Sequence, residues 1–400
     1  MNVLFVSYSH LDSNSGIHVF NLANRLIEAG HHCAVCVPDE PEATNRVGRP
    51  LFRTIVAGQL DKRPALFPDG RSADIVHAWT PRELVRHTTE RIVARSRCPY
   101  VVHMEDNEEH LTEIAMGRIA ETFAVASRDE LDRSIPLHLS HPTRYKDFIA
   151  GASGLTALIE PLLFFKPSSL PGRVIWPAYD DQLNWSPDPD LRFREEIGTC
   201  TTDYVVVYTG NVHQANSSEV ASLYIAIAIL NRVGLSTKLV RTGVNYVPLF
   251  DDLDEKEIGK FCINLGFRPR SEVPRVLSIA DALVQPGRAG PFNDFRFPSK
   301  LPEYFASGKP VLIPDTNLAR YVEDGVQCIV LREGNASEIA TVLRNLLPDI
   351  ERRRTLGRNA RKFAQANFSW RKSAEILISF YREILAGSSF EGHRTAAPSH

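Results

Sequence analysis

The sequence has no run of the roughly 18 to 20 apolar residues that crossing a bilayer requires, so no transmembrane segment is predicted. No basic leader and no small-residue cleavage site mark the start, "MNVLFVSYSH", which reads as a first β-strand. The expected location is cytoplasmic. Charge of either sign is not in excess: 46 Lys and Arg against 48 Asp and Glu leave a formal −2, so no nucleic-acid partner is expected. No solenoid period, heptad array or low-complexity tract is present. No G-x-G-x-x-G follows the first strand, where "SHLDSNSG" stands instead, and this argues against a nicotinamide dehydrogenase. Cysteine is sparse and scattered. Cys33 and Cys36 lie in "GHHCAVCVP" (30–38), whose flanks read as a buried strand. His31 and Cys33 then share one face while His32 and Cys36 share the other, which does not close a tetrahedral site. Packing is the expected role, and neither a metal nor another cofactor is expected.

What is present is alternation. "NVLFVSY" (2–8) is a continuous apolar run of the kind a parallel strand buries on both faces. From Gly16 the apolar residues Ile17, Phe20, Leu22, Ala23, Leu26 and Ile27 recur at helical spacing, Gly30 stops that helix, and "CAVCVP" is the next strand. "ADIVHAW" (73–79), "PYVVHMED" (99–106), "GLTALIE" (154–160) and "RVIWP" (173–177) continue the pattern, with mixed, charged sequence at 107–150. "AYDDQLNWSPDPD" (178–190) has the composition of a linker. A second series follows, with strands in "DYVVVYTG" (203–210), "STKLVRTG" (236–243), "DALVQPG", "KPVLIP" and "QCIVL" (327–331). Long helical stretches close the chain at about 335–366 and 369–386.

This predicts an α/β protein of two doubly wound, Rossmann-like domains facing each other across a cleft, residues 1–178 and 179–368. The tail 387–400 is small and polar and is expected to be disordered. Ligands of such sheets sit outside the carboxyl ends of the strands.

The loops at those ends carry the candidate chemistry. Gly16, after the first strand, lets backbone approach an anion at a helix start, though a simple turn is the plain alternative. His103, Glu105 and Asp106 cluster at the tip of "PYVVHMED", where an imidazole and carboxylates can orient a hydroxyl or assist proton transfer. Ordinary solvated strand-end polarity is the other reading. "YTGNVHQANS" (208–217) presents Gly210 and Asn211 in the second half. In "RFPSKLPEYFASGKPVLIP" (296–314), Ser299 is the expected N-cap, since Pro302 must fall in the first turn. Lys300 then lies in that turn, with Glu303 just beyond on the same face. A cation at a helix start opposes the dipole unless an anion binds there, so Arg296 and Lys300 suggest a diphosphate and Glu303 the hydroxyls of its ribose. A solvated Lys–Glu pair is the alternative.

"FPSKLPEYFASGKPVLIP" resembles the signature of the family 4 glycosyltransferases, which have the GT-B fold. "SGIHVFNLANRLIEAGHHCAVCVP", "ADIVHAW", "ASGLTALIEPL", "VIWPAYD", "YTGNVHQ", "LGFRPRSEVPRVLSIADALVQP" and "FSWRKSAEILISFYREIL" are similar to the family's other stretches in order and spacing. The resemblance covers nearly the whole chain. It implies a retaining sugar transfer from a nucleotide-sugar donor without a bound metal, in bacterial polysaccharide or glycoconjugate synthesis. The donor is held by the second domain and a glycan, lipid-linked or small-molecule acceptor by the first. It further implies a last helix, about 369–386, crossing back to the first domain, and Gly16 near the diphosphate. Three departures stand out. The family's sugar-side acid falls on Phe295, beside Asp294. Its Gly-Arg…Lys phosphate grip is reduced to Gly210 and Asn211, leaving Arg296, Lys300, Arg268 or Arg288 to supply charge. Its strand-tip histidine falls on Glu105. These departures keep a non-catalytic binding or scaffold protein in play, and a nucleotide-sugar epimerase shares the architecture. The basic stretch "RELVRHTTERIVARSR", diluted by Glu83 and Glu90, raises peripheral contact with the inner face of a membrane as an expectation.

Overall fold

The computed structural model describes residues 1–39, 47–62, 65–251 and 256–394. Two compact units divide the chain: residues 1–177 together with the chain from Trp370 onward, and residues 178–369.

The first unit is built on a seven-stranded parallel sheet of β1 (Asn2–Ser7), β2 (His32–Val37), β3 (Arg53–Val56), β4 (Ile75–Trp79), β5 (Tyr100–Met104), β6 (Gly154–Ala157) and β7 (Gly172–Val174). The order is β3-β2-β1-β4-β5-β6-β7, which reverses direction between β1 and β4. Every residue of β1 is buried, as its unbroken apolar run requires. The helix Asn14–Glu28 starts two residues before Gly16, capped by Ser13, whose Oγ accepts from the Gly16 amide at 2.9 Å. Gly30, at φ +84°, ends it. Residues 107–150 resolve into four helices, Glu108–Met116, Ala120–Val125, Arg128–Ser134 and Arg144–Ala150. Phe123, Leu131, Ile135 and Leu139 form a small apolar cluster there.

The last helix, Trp370–Arg394, belongs to this first unit. Ser373 Oγ donates to the Trp176 carbonyl at 2.8 Å, and the Tyr381 hydroxyl lies 2.6 Å from His77 Nδ1. The helix continues to Arg394, so the disordered tail expected from 387 is corrected for 387–394; residues 395–400 lie outside the described residues.

The second unit carries a six-stranded parallel sheet of β8 (Tyr204–Thr209), β9 (Thr237–Thr242), β10 (Cys262–Asn264), β11 (Ala282–Val284), β12 (Val311–Pro314) and β13 (Ile329–Leu331). Its order, β10-β9-β8-β11-β12-β13, reverses between β8 and β11. Leu223, Ile227, Leu343 and Leu346, from the helices Ser217–Arg232 and Ala336–Leu346, fill the core on one face. The single helical stretch expected at 335–366 is two helices. Pro348 cannot continue the first, and Asp349 caps Ile350–Asn367 by accepting from the Arg352 amide at 2.9 Å. The opening segment of the motif at 296–314 is also corrected. Its helix is Leu301–Ala306 and its N-cap is Lys300, not Ser299, so Glu303 falls inside the first turn.

Candidate functional site

Each unit gathers a polar cluster at the carboxyl ends of the strands flanking its reversal point, where open α/β sheets bind ligands.

In the second unit β8 ends at Thr209 and the chain turns at Gly210, whose φ of +136° favours glycine. A Cβ there would lie 2.6 Å from Lys300 Nζ. The Lys300 ammonium also sits 3.9 Å from the Tyr208 ring centroid, a cation–π contact. Gly210 and Lys300, 90 residues apart in sequence, are therefore neighbours. Burial first, then the charges of Arg296 and Arg241, push the Lys300 ammonium well below the usual lysine range. Arg296 stacks on Phe292 at 4.4 Å, and its Nη1 is buried without a hydrogen-bond partner among the described residues. Arg241, on β9, is 0% exposed; its Nη1 reaches the Tyr224 hydroxyl at 3.4 Å, and its Nε and Nη2 have no hydrogen-bond partner among the described residues.

Two carboxylates, Glu219 and Glu303, act on the Lys300 ammonium. Glu219, in the first turn of Ser217–Arg232, accepts from Asn293 Nδ2 through Oε1, while its Oε2 is buried with no hydrogen-bond partner among the described residues. Burial raises its pKa. His213, beside the same cations, is pushed down to about 4 by burial, Arg296 and Lys300. The corner thus concentrates positive charge and unsatisfied N–H groups, an arrangement complementary to a multiply charged anion.

Glu303 lies one turn from Lys300. Its Oε1 is 3.5 Å from Arg270 Nη2, and Arg270 Nε is in turn 3.9 Å from Asp180. Arg270 was not singled out from the sequence. The remaining sequence-predicted residues are engaged otherwise. Asn211 Oδ1 accepts from the Val244 amide at 2.9 Å, so the amide that stands where a cation was expected ties two loops together. Arg268 turns to the Leu265 carbonyl and to Glu272. Asp294 accepts from the Gly290 amide, and Ser299 precedes the cap.

In the first unit the centre is Glu105. It accepts from Trp79 Nε1 at 2.9 Å and from Ser15 Oγ, and lies 3.1 Å from His18 Nδ1. Burial alone would raise its pKa, but the hydrogen bond and charge of His18, with His103 and Ser15, outweigh it and hold the carboxyl at about 2. An ionised carboxylate only accepts, so the proton between the two residues sits on His18 Nδ1. In a neutral His18 the lone pair is then on Nε2. Neither His18 nor Ser15 was singled out from the sequence.

His103 shares the Glu105 face of the strand but is 0% exposed. It stacks on Trp79 at 3.8 Å and bonds Thr156 Oγ1 through Nδ1 at 2.8 Å, and burial pushes it down to about 3. It is a core residue that packs against the indole on which Glu105 hangs, and its Nε2 is buried with no hydrogen-bond partner among the described residues. Asp106 is half-buried, close enough to act on the charge of Arg82, which bonds Glu108 at 3.1 Å and lies over the Tyr8 ring at 3.8 Å. At Gly16 a Cβ would lie 2.0 Å from the His10 carbonyl oxygen. The space its missing side chain leaves is filled by the preceding loop, not left open for a ligand.

Residues 192–363, nearly all of the second unit, match the family model described as glycosyl transferases group 1. Among curated proteins the chain is similar to the alpha-D-kanosaminyltransferase of Streptomyces kanamyceticus, 28% identical over 187 residues, 45% of this chain and 46% of that one. It is also similar to the D-inositol 3-phosphate glycosyltransferase of Nocardia farcinica, 24% identical over 217 residues, 52% and 47% of the two chains. Each match spans about half the length of the curated relative. Among solved structures, HepE of Anabaena in complex with UDP-glucose superposes with a TM-score of 0.70 at 16% identity, over 95% of this chain and 99% of that one. The sucrose-phosphate synthase of Thermosynechococcus elongatus gives 0.71 at 17% identity, over 97% and 100%. These likenesses show the fold: two Rossmann-like parallel sheets with a C-terminal helix, as in GT-B glycosyltransferases.

Proposed function

We propose that the protein is a glycosyltransferase of the family 4 type, moving a sugar with retention from a nucleotide-sugar donor to a hydroxyl of a glycan, lipid-linked or small-molecule acceptor. A role in bacterial glycoconjugate synthesis, in the cytoplasm, goes with this reading. The observation that carries it is the corner of Gly210, Lys300 and Arg296, with Glu303 one turn along.

In this reading the diphosphate replaces the Tyr208 ring as the partner of Lys300 and meets the unbonded Nη1 of Arg296. As the bond from the anomeric carbon to the diphosphate oxygen breaks, its electron pair leaves with the diphosphate, and these cations stabilise the growing charge. No metal is then required, and transfer is expected to proceed in the presence of a chelator. Glu303 exchanges Arg270 for the vicinal hydroxyls of the ribose. The first unit takes the acceptor, whose hydroxyl hydrogen-bonds to His18 Nε2.

A panel of nucleotide sugars screened by thermal shift tests the reading, since a donor stabilises the folded chain by mass action. The expected result is one nucleotide series that raises Tm; no response to any nucleotide would contradict it. A second reading, a non-catalytic sugar-nucleotide binder, is favoured by Asn211, which stands where the family carries a cation and is spent on Val244. Release of free sugar from the donor, or transfer to an acceptor, excludes it.

A further inference from the structure

Glu219 joins two elements of the second unit. It stands in the first turn of the helix that follows β8 and reaches the loop that follows β11. Those are the strands on either side of the reversal in that sheet. Asn293, itself 5% exposed, donates through Nδ2 to Glu219 Oε1 and also to the Arg288 carbonyl, at 2.9 Å. The Arg288 amide acts on the same carboxylate. Gly287 brings the loop against it: a Cβ there would lie 3.3 Å from Asn293 Nδ2 and 3.5 Å from Glu219 Oε1. Oε1 is therefore satisfied, and the direction of Oε2 is set with it.

Oε2 has no donor. The plain account is a counter-charge, since Arg296 and Lys300 both act on Glu219. A counter-ion closes onto its cation, and this one does not. Oε2 and Arg296 Nη1 are both buried, and neither has a hydrogen-bond partner among the described residues. A carboxylate here also repels the phosphates that the cations attract. A buried carboxylate oxygen without a donor costs free energy, and a donor that arrives with the ligand removes that cost. Ionised phosphate oxygens only accept, so they cannot be this partner. In a nucleotide sugar the group on the far side of the diphosphate is the sugar, and its hydroxyls donate.

We propose that Glu219 selects the donor sugar, its Oε2 accepting a hydrogen bond from a hydroxyl of the hexose while Oε1 stays on Asn293. This rests on the donor-site reading given above and adds what the sugar must carry. A hexose lacking that hydroxyl leaves the carboxylate unpaired beside the diphosphate and is rejected.

The test is calorimetry on the full chain. UDP, GDP, ADP and dTDP are titrated first, then the glucose, galactose and mannose conjugates of whichever of them binds. Wild type is compared with Glu219→Gln, which is nearly isosteric and keeps an acceptor for Asn293, and with Glu219→Ala. Conjugate affinity should fall roughly 10-fold in the glutamine variant and up to roughly 100-fold in the alanine variant. The nucleoside diphosphate should bind as tightly as before or more tightly, because a charge that repels it is gone. Its retained binding also shows that the variants are folded. If conjugate and nucleoside diphosphate change by the same factor, Glu219 is a counter-charge only and the proposal is overturned. A wild type that binds the nucleoside diphosphate but none of the conjugates overturns it as well. Both of those results leave the donor-site reading standing. That reading fails, and this proposal with it, if none of the nucleoside diphosphates binds wild type.

Discussion

The Glu105 carboxylate lies 3.1 Å from His18 Nδ1 and thereby decides which nitrogen of that imidazole carries the proton. The two residues are 87 apart in the chain. They meet because β1 and β5 both run into the same edge of one parallel sheet, with only β4 between them. Trp79, at the end of β4, completes the arrangement by donating to the same oxygen of Glu105.

Glu105→Gln is nearly isosteric, but its amide can donate as well as accept, so the tautomer of His18 is no longer fixed. The account predicts a fall in kcat of on the order of 10- to 100-fold with donor KM little changed. Steady-state kinetics with donor and acceptor varied separately check this. Unaltered kcat would remove His18 from the acceptor site.

Lys300→Met removes a cation that is crowded by Arg296 and Arg241. The Tm of the donor-free protein should not fall. A charge-assisted hydrogen bond to a phosphate is worth about 1.5–3 kcal/mol, so donor affinity should drop roughly 10- to 100-fold. Calorimetry with the nucleoside diphosphate measures the second effect, and a thermal scan the first.

Acid should unfold the first unit through its buried ionisable groups. His103 is held at about 3 against an ordinary 6.5, so the unfolded chain binds its proton first. Its contribution is fully present above pH 6.5 and is lost as pH falls towards 3, at up to about 1.4 kcal/mol per pH unit. Glu105, at about 2 against an ordinary 4.5, adds a loss of about 3 kcal/mol as pH falls from 4.5 towards 2. Denaturant midpoints measured between pH 7 and 5 should decline, and the slope should be shallower in His103→Asn.

Gly16→Ala should destabilise the first unit rather than only weaken ligand binding. The new methyl falls 2.0 Å from the His10 carbonyl oxygen and close to the Leu11 backbone, neither of which is a flexible tip. A backbone displacement of this kind costs on the order of 1–3 kcal/mol. Chemical denaturation of the variant reads it directly.

Much of the fold was legible because parallel strands announce themselves as apolar runs and helices as periodic ones. The strands that escaped notice are β3 and β10, at the sheet edges. Arg53–Val56 is mostly half-buried and Cys262–Asn264 has three residues, so neither makes a run. The site was legible only where its residues sit close together in the chain. Arg296, Lys300 and Glu303 share one segment, and glycine marked the turn at 210. Arg270, Arg241, Glu219 and His18 are placed by strand order and helix packing, and no local spacing in the sequence links them to their partners. Arg241 reads from sequence as one charge in "STKLVRTG"; only the fold shows that it is sealed inside beside Lys300. His103 failed in the opposite direction. Alternation put it on the right face of β5, but that face is covered by Trp79.

The most direct measurement is a crystal structure of the protein with a nucleoside diphosphate bound. The account predicts phosphate oxygens within hydrogen-bond distance of Lys300 Nζ and Arg296 Nη1, with the pentose hydroxyls on Glu303 in place of Arg270. A nucleotide bound elsewhere, with Lys300 still over Tyr208 and Glu303 still paired to Arg270, would contradict it.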